Sequence, residues 1–452
     1  MPYTQDLVYT DFQSRRPREY KMANINVFII KHILMGYAFF YPFFMAWIWM
    51  FGGLIFYFKW ERRKVPLEIF ATNSDSGVPL CSIVVPCFNE ELNLRETLRY
   101  ALQSNYPNLE VIAIDDGSSD GTWSILCELV QNYSRLRIFR HAANEGKAMA
   151  LRTGAAVAHS DYLVCIDGDA LLHPDGAAWI MHHLTAPNSR VGAVTGNPRI
   201  MNRSTILGKV QVGEFSSIIG LVKRAQKIYG RVFTVSGVIA GFRRTALASV
   251  GFWSDSNLTE DIDISWRLQM NFWDIRFEPR ALCYIYMPET FKGLWKQRLR
   301  WAKGGVEVVQ EQFKLLLKWR KRRFWGIIIE YVASVFWAYT MLAIMIIYFI
   351  GLAMPLPRLL YINSILPEWY GVMLGLTCLF QFFVSITLDS RYESKKLLTR
   401  VYFWVIWYPL LFWVLNMFTV VWAVPAVLFS KRRRARWVSP DRGFQKALPN
   451  AD

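Results

Sequence analysis

The chain has 452 residues, room for roughly two to three domains, and 53% of them are hydrophobic, with 19 tryptophans. Lys and Arg outnumber Asp and Glu by 52 to 35, a net charge of +17; the basic runs 59–64, 318–323 and 431–436 directly abut apolar segments, as cytosolic flanks meeting anionic lipid headgroups do, and this sets nucleic-acid binding aside. The six cysteines are dispersed, with no Cys-x-x-Cys pair, which argues against a disulfide framework or a thiolate metal site and for reduced cytosolic thiols.

After an N-terminal segment (1–22), the sequence is almost continuously apolar from Ala23 to Phe58, interrupted by Lys31, His32 and Pro42. About 20 apolar residues cross a bilayer, and Met35–Phe58 is the cleanest span. No small-residue cleavage site follows it, so it reads as an uncleaved anchor. Ile25–Ile33 is either part of a second crossing or an interfacial helix.

Over 79–302 the apolar runs shorten and alternate with helical patterns. Strands are expected at Ser82–Pro86, Glu110–Ile114, Leu136–Phe139 and Tyr162–Ile166, and helices at Leu92–Gln103, Thr122–Gln131 and Gly146–Ala158. This alternation implies a mostly parallel sheet with helices on both faces, in which ligands bind at the carboxyl ends of the strands. Over 303–324 an amphipathic helix (Val306–Leu317) leads into a basic run. Three apolar segments follow within 325–429: Trp325–Met354, Tyr370–Leu388 and Val401–Phe429. A basic tail (430–452) ends the chain. Three crossings from a cytosolic domain put Lys431–Arg436 outside, against the positive-inside tendency. Either one segment lies in the interface or the rule fails here.

The chemistry-bearing residues gather at the expected strand ends. Pro86-Cys87-Phe88-Asn89-Glu90 follows the first strand and Asp115-Asp116-Gly117-Ser118 the second. Such turns can present carboxylates and amides to a nucleotide, although Asp and Gly form turns in any protein. The next acidic strand end is Asp167-Gly168-Asp169. Two carboxylates one residue apart suit a divalent ion held jointly with a diphosphate, whereas the downstream ligand spacing of an EF-hand is missing. Asn144-Glu145-Gly146-Lys147 places a glycine and a lysine at a helix start, suited to a phosphate or simply to solvent.

Further along, Thr259-Glu260-Asp261 is a helix start that Thr259 could cap, or a site where Asp261 takes a proton from an acceptor hydroxyl. Gln297, Arg300 and Trp301 share one helix face. Arg300 can pair a leaving diphosphate and Trp301 can stack on a sugar, unless the helix is simply basic and membrane-proximal.

Taken in order, these motifs resemble the signature of the processive family 2 glycosyltransferases, the cellulose, chitin and hyaluronan synthases among them. The matching residues are Asp116, Asp167/Asp169, Thr259-Glu260-Asp261 and Gln297-x-x-Arg300-Trp301. The chain is more similar still to bacterial poly-β-1,6-N-acetyl-D-glucosamine synthases, through Thr195–Arg199, Val212–Gly220, Phe233–Gly237 and Arg436–Gly443.

The resemblance implies an α/β GT-A-type (Rossmann-like) cytosolic domain embedded between transmembrane helices of the bacterial inner membrane. UDP-N-acetylglucosamine would bind through Pro86, Phe88, Glu90, Asp116, Lys147, Asp167, Gln297 and Arg300. Mg²⁺ (or Mn²⁺) would sit on Asp169 and Asp167, with Asp261 as base and Trp301 and Glu260 at the acceptor. Catalysis would thus rest on Asp261, Asp169 and Asp116. It also implies a growing polysaccharide and a small membrane partner subunit of the synthase, with cyclic di-GMP between them. Only about twenty residues follow the last apolar segment, so control of that kind is expected through the partner. The competing readings are a synthase of another β-glycan, a non-processive lipid-linked sugar transferase, and a transporter with a nucleotide-sensing domain, whose path an intramembrane acid such as Glu330 would mark.

Overall fold

The computed structural model describes residues 6–63, 77–357, 360–362, 364–365, 368–393 and 395–430. Lys64, the Lys431–Arg436 run, the Arg436–Gly443 motif and the rest of the tail lie outside them. The first helix, α1 (Asp6–Phe56), is continuous through Ile25–Ile33 and runs into a π-helical turn at Tyr57–Glu61.

An alternating region follows, in which β1 (Cys81–Cys87), α2 (Leu94–Leu102), β2 (Leu109–Asp115), α3 (Thr122–Asn132), β3 (Leu136–Arg140), α4 (Lys147–Val157) and β4 (Tyr162–Ile166) match the expected elements to within two residues. β1 and β2 are buried along their whole length. Their unbroken apolar runs are what a sheet covered on both faces requires.

The remaining strands are β5 (Leu171–Leu172), β6 (Val191–Ile200), β7 (Ile239–Arg243) and β8 (Asp274–Ile285), in one sheet of order β3-β2-β1-β4-β7-β6-β8-β5. The expectation of a mostly parallel sheet holds for β3-β2-β1-β4, the part in which strand and helix alternate. Beyond β4 the sheet is mixed. β7 is antiparallel to both β4 and β6, β6 is parallel to β8, and β5 is antiparallel to β8. The later helices are α5 (Gly176–Leu184), α6 (Ile206–Glu214), α7 (Val222–Tyr229), α8 (Arg244–Ser249), α9 (Glu260–Met270) and α10 (Phe291–Leu316), with a π-helical stretch at Phe215–Leu221 joining α6 to α7.

α10 runs across the expected division at 302/303. It is a single 26-residue helix carrying both the Gln-x-x-Arg-Trp residues and the stretch expected to be amphipathic. The Gly304-Gly305 pair does not break it, because the helix passes too close to its neighbours for a side chain there. A Cβ on Gly304 would lie 2.2 Å from Thr259 Oγ1, and one on Gly305 would lie 3.0 Å from the Tyr331 hydroxyl.

Beyond α10 come α11 (Trp325–Ala353), α12 (Glu368–Asp389), α13 (Lys395–Tyr402) and α14 (Val414–Leu428). Among the described residues, four helical stretches are long and apolar enough to cross a membrane: Lys31–Glu61, Trp319–Ala353, Trp369–Asp389 and Pro409–Leu428. The expected segment Val401–Phe429 is thus shortened at its start. Pro409 has no N–H to continue the ladder, and α13 with the turn Val405–Trp407 packs on α6 instead.

A buried ionic clasp seats the sheet domain on the membrane helices. Arg224 of α7 grips Glu61 through Nε (2.8 Å) and Nη2 (2.9 Å) and reaches Asp389 of α12 through Nη1 (3.0 Å). Arg199 of β6 takes the other Asp389 oxygen at 2.7 Å, and the Tyr392 hydroxyl donates to Glu61 at 2.6 Å. Removing one member of a buried ion pair strands the other in low dielectric. Arg224→Met is therefore expected to destabilise the detergent-solubilised protein by about 3–5 kcal/mol, read as an earlier thermal unfolding transition.

Candidate active site

Parallel pairing of β1 with β2 and β4 brings three acidic turns to one edge. The first two are laced together: the Asn89 and Glu90 amides donate to the Ser118 and Thr122 hydroxyls at 2.9 and 2.8 Å. Pro86 and Glu90 back the third turn, since a Cβ on Gly168 would meet the Pro86 carbonyl oxygen at 2.8 Å and Glu90 Cγ at 3.1 Å. Phe88 is half-buried beside them.

Asp116 is the hub of a local hydrogen-bond network. It is fully buried, and both its oxygens are engaged by the chain itself. Oδ1 accepts from the Glu145 amide (3.0 Å) and faces His141 Nδ1 at 2.8 Å, while Oδ2 accepts from the Gly146 amide at 2.8 Å. Gly146 has φ +96°, a conformation open to glycine at no steric cost, and it turns the chain into α4 so that Lys147 opens the helix. Asp116 thus ties down the Lys147 turn.

Lys147 Nζ lies 2.6 Å from Asp167 Oδ1 and 2.8 Å from Glu260 Oε1, and donates to the Gly237 carbonyl at 3.2 Å. Burial works against its charge, but Asp167 and Glu260 outweigh it and hold the ammonium well above its ordinary pKa. Glu260 is held below the carboxylate range because Lys147 overcomes the cost of its burial. Its neighbour Asp261 is pushed up to about 6, first by burial and then by the Glu260 charge, against the pull of Lys147. Thr259 occupies the cap position of α9 without a side-chain cap bond, so the capping alternative is not what orders this turn. Glu260, Asp261 and Asp263 instead face the positive end of the helix dipole.

These groups line a cavity of about 680 Å³. Lys147, Asp167, Asp169, Glu260, Asp261, Gln297, Arg300 and Trp301 are all in its wall, whereas Pro86, Phe88, Glu90 and Asp116 stand outside it. Gln297 Oε1 is buried without a hydrogen-bond partner among the described residues. Trp301 has company that was not foreseen: the Arg298 guanidinium sits 4.2 Å over its ring while bonding Glu214 at 2.6 Å. Burial raises the Glu214 carboxyl to about 6, opposed by Arg298. The spacing singled out Arg300 and left Arg298 aside; helix phase turns Arg298 inward, whereas Arg300 is exposed.

Among the described residues no group of three or more His, Cys, Asp or Glu side chains is arranged to cage a metal. Asp167 and Asp169 nevertheless offer hard oxygen donors one residue apart in the cavity wall, a set that fits a divalent ion carried in with a diphosphate.

A mixed sheet with acidic turns at its strand ends, opening into a cavity that membrane helices complete, defines a membrane-associated glycosyltransferase with a GT-A fold. Residues 79–304 match the model described as "Glycosyltransferase like family 2", and the chain belongs to that family. It is similar to a poly-beta-1,6-N-acetyl-D-glucosamine synthase of Staphylococcus epidermidis, 37% identical over 413 residues covering 91% of this chain and 98% of the relative. The synthase of that name from Staphylococcus aureus strain COL is 35% identical over 90% of this chain and 98% of its own length. Among solved structures, a mannosyltransferase from Pyrobaculum calidifontis in complex with GDP-Man and Mn²⁺ superposes with a TM-score of 0.52, at 18% identity, over 88% of this chain and 99% of its own, a likeness of fold alone.

Asp116→Ala leaves the Glu145 and Gly146 amides without acceptors in a buried place, at a cost of about 1–3 kcal/mol for each unmade bond. Hydrogen exchange at these two amides is expected to accelerate well ahead of that in β1 and β2.

Proposed function

We propose that this protein is a processive, inverting glycosyltransferase that builds poly-β-1,6-N-acetyl-D-glucosamine from UDP-N-acetylglucosamine in the bacterial inner membrane. In this reading the sheet domain faces the cytosol and the product leaves through the bilayer. The observation that carries the reading is the continuity of the cavity. One wall holds Asp169, Asp261 and Trp301, and the same space is bounded by Trp49 of α1, Glu330 and Trp337 of α11, Gln381 of α12, Trp413 just before α14 and Asn416 of α14. Aromatic faces with interspersed amides suit a sugar chain, which offers apolar ring faces and a rim of hydroxyls. The names of the staphylococcal relatives support the choice of sugar and linkage. Glu330, the acid that would mark a transport path, accepts from Trp49 Nε1 at 3.1 Å in this same cavity, which supports a reading in which active site and exit share one space.

The mechanism follows from the chain's own groups. Asp261 accepts the proton of the acceptor's 6-hydroxyl. That oxygen attacks the anomeric carbon of the donor from the face opposite the diphosphate. The carbon–oxygen bond to UDP breaks, the electron pair leaves with UDP, and the configuration inverts from α to β. Arg300 and the Gln297 side-chain N–H hold the diphosphate side, and Asp167 with Asp169 would hold a Mg²⁺ or Mn²⁺ ion that neutralises diphosphate charge. Lys147 keeps Glu260 ionised and Asp167 in place. Purified protein in lipid, given single UDP-sugars with divalent ions, tests the reading by linkage analysis of the product. A different sugar or linkage would overturn it.

Two variants probe the roles. Asp261→Asn keeps the shape of the side chain but removes the proton acceptor, so polymerisation should fall by about 10²–10⁴-fold while UDP binding persists. In the wild type the base works only when ionised, so the rate should decline as pH drops through about 6. Trp301→Ala should shorten the polymer far more than it slows hydrolysis of the UDP-sugar by water, which needs no stacking surface. Equal losses in UDP release and chain length would reassign Trp301 to holding Arg298.

A further inference from the structure

The cavity wall contains a second buried lysine that the mechanism above does not use. Lys223, on α7, is 6% exposed and lines the cavity. Its Nζ donates to Thr195 Oγ1 at 3.1 Å. The same hydroxyl oxygen accepts from the Ser236 amide at 2.8 Å, so Lys223 is fixed to the back of the Ser236-Gly237 turn. Gly237 of that turn lies against the base: a Cβ on it would lie 3.3 Å from Asp261 Oδ2 and 3.4 Å from Lys147 Nζ. Behind Lys223, Arg224 is held in the clasp with Glu61 and Asp389, which fixes the helix that carries it. Among the described residues no carboxylate lies within ion-pair distance of Lys223, so its charge is not consumed locally.

We propose that Lys223 is a positioning residue for Asp261: held by Thr195 behind the Ser236-Gly237 turn, its buried ammonium keeps the carboxylate in the ionised, proton-accepting form. The proposal rests on Asp261 being the base. Three charged groups bear directly on that carboxylate from the surrounding elements. Glu260, on its own helix, disfavours ionisation, and Lys147 from α4 favours it but is already shared with Asp167 and Glu260. Arg300 from α10 acts on Glu260. Lys223 from α7 is the cation left to offset Glu260. Glu330 of α11 lies farther along the cavity, hydrogen-bonded to Trp49. Burial lowers the Lys223 ammonium to about 7, with Asp261 acting against that fall, so the lysine is still mostly charged where Asp261 titrates.

The sign of the effect is definite. Removing a cation near a carboxylate raises the pH at which the carboxylate ionises. Polymer synthesis from UDP-N-acetylglucosamine would be followed across the range from about pH 5 to about pH 9 with the full chain in lipid vesicles. Lys223→Gln and the near-isosteric Lys223→Met should both move the acid limb of the rate upward by about one unit. That shift cuts the rate roughly fivefold at about pH 6 and leaves it within about twofold at about pH 8. Lys223→Arg, which keeps the charge, should retain the wild-type limb. An unmoved limb in the Gln and Met variants, or a pH-independent loss that Arg does not rescue, overturns the proposal. Asp261→Asn run in parallel separates the two failures. If that variant still polymerises with an acid limb, the assignment of the base fails, and this proposal with it. If it is inactive while the lysine variants keep the wild-type limb, only the role of Lys223 fails.

Discussion

The buried ammonium of Lys147 is shared between Asp167 and Glu260, 2.6 and 2.8 Å away, and the rest of the site is organised around it. It fastens the end of β4 to the start of α9, two elements almost a hundred residues apart in sequence. Without that charge, Asp167, Asp169, Glu260 and Asp261 would crowd four carboxylates into one cavity wall, and mutual repulsion with desolvation would drive protons onto them. With it, Glu260 stays ionised and the cost is transferred to Asp261, whose raised pKa is useful in a base. The lysine is in turn held by Asp116, which gives up any contact of its own with the cavity in order to close the turn at Gly146.

A second group of charges sets how the domain meets the bilayer. Glu61, Arg224, Asp389 and Arg199 come from α1's end, α7, α12 and β6, and all four are buried. Such a cluster contributes little net stability compared with apolar packing, but it tolerates almost no displacement, because any slip strands a charge. Its effect is to fix α7 and the π-helical stretch before it against the membrane helices. Phe215, Ser217 and Ile219 of that stretch face the same cavity as Asp261. A π-helical turn re-aims side chains locally and is frequent at functional sites.

Strand ends were the most legible part of the site. Asp167, Asp169, Glu260, Asp261, Gln297, Arg300 and Trp301 were singled out from local motifs and converge on one cavity; a parallel sheet delivers the Asp167-Asp169 turn to its edge, while the starts of α9 and α10 are brought there by packing. The hydrogen bonds of Asp116 were not legible, because an acidic turn looks the same in sequence whether its carboxylate faces a ligand or the backbone amides of a loop 30 residues on. Arg298 and Lys223 were missed for a related reason. In a basic helix each cation resembles the next, and only packing shows which one is buried.

The sequence by itself determined the alternation that builds β1 to β4, the placement of acids at strand ends, and the apolar lengths that can span a bilayer. Each of these depends on a short window of residues and on the period of strand or helix. Tertiary structure alone decided that the sheet turns mixed beyond β4, that α10 runs unbroken through Gly304 and Gly305, and that the acidic wall and the membrane helices enclose one continuous space. It also decided which charges are paired, as with Lys147, and which stand alone in the wall, as with Lys223. These outcomes depend on side chains far apart in sequence meeting in low dielectric, where the sign and distance of a neighbour set the state of a group.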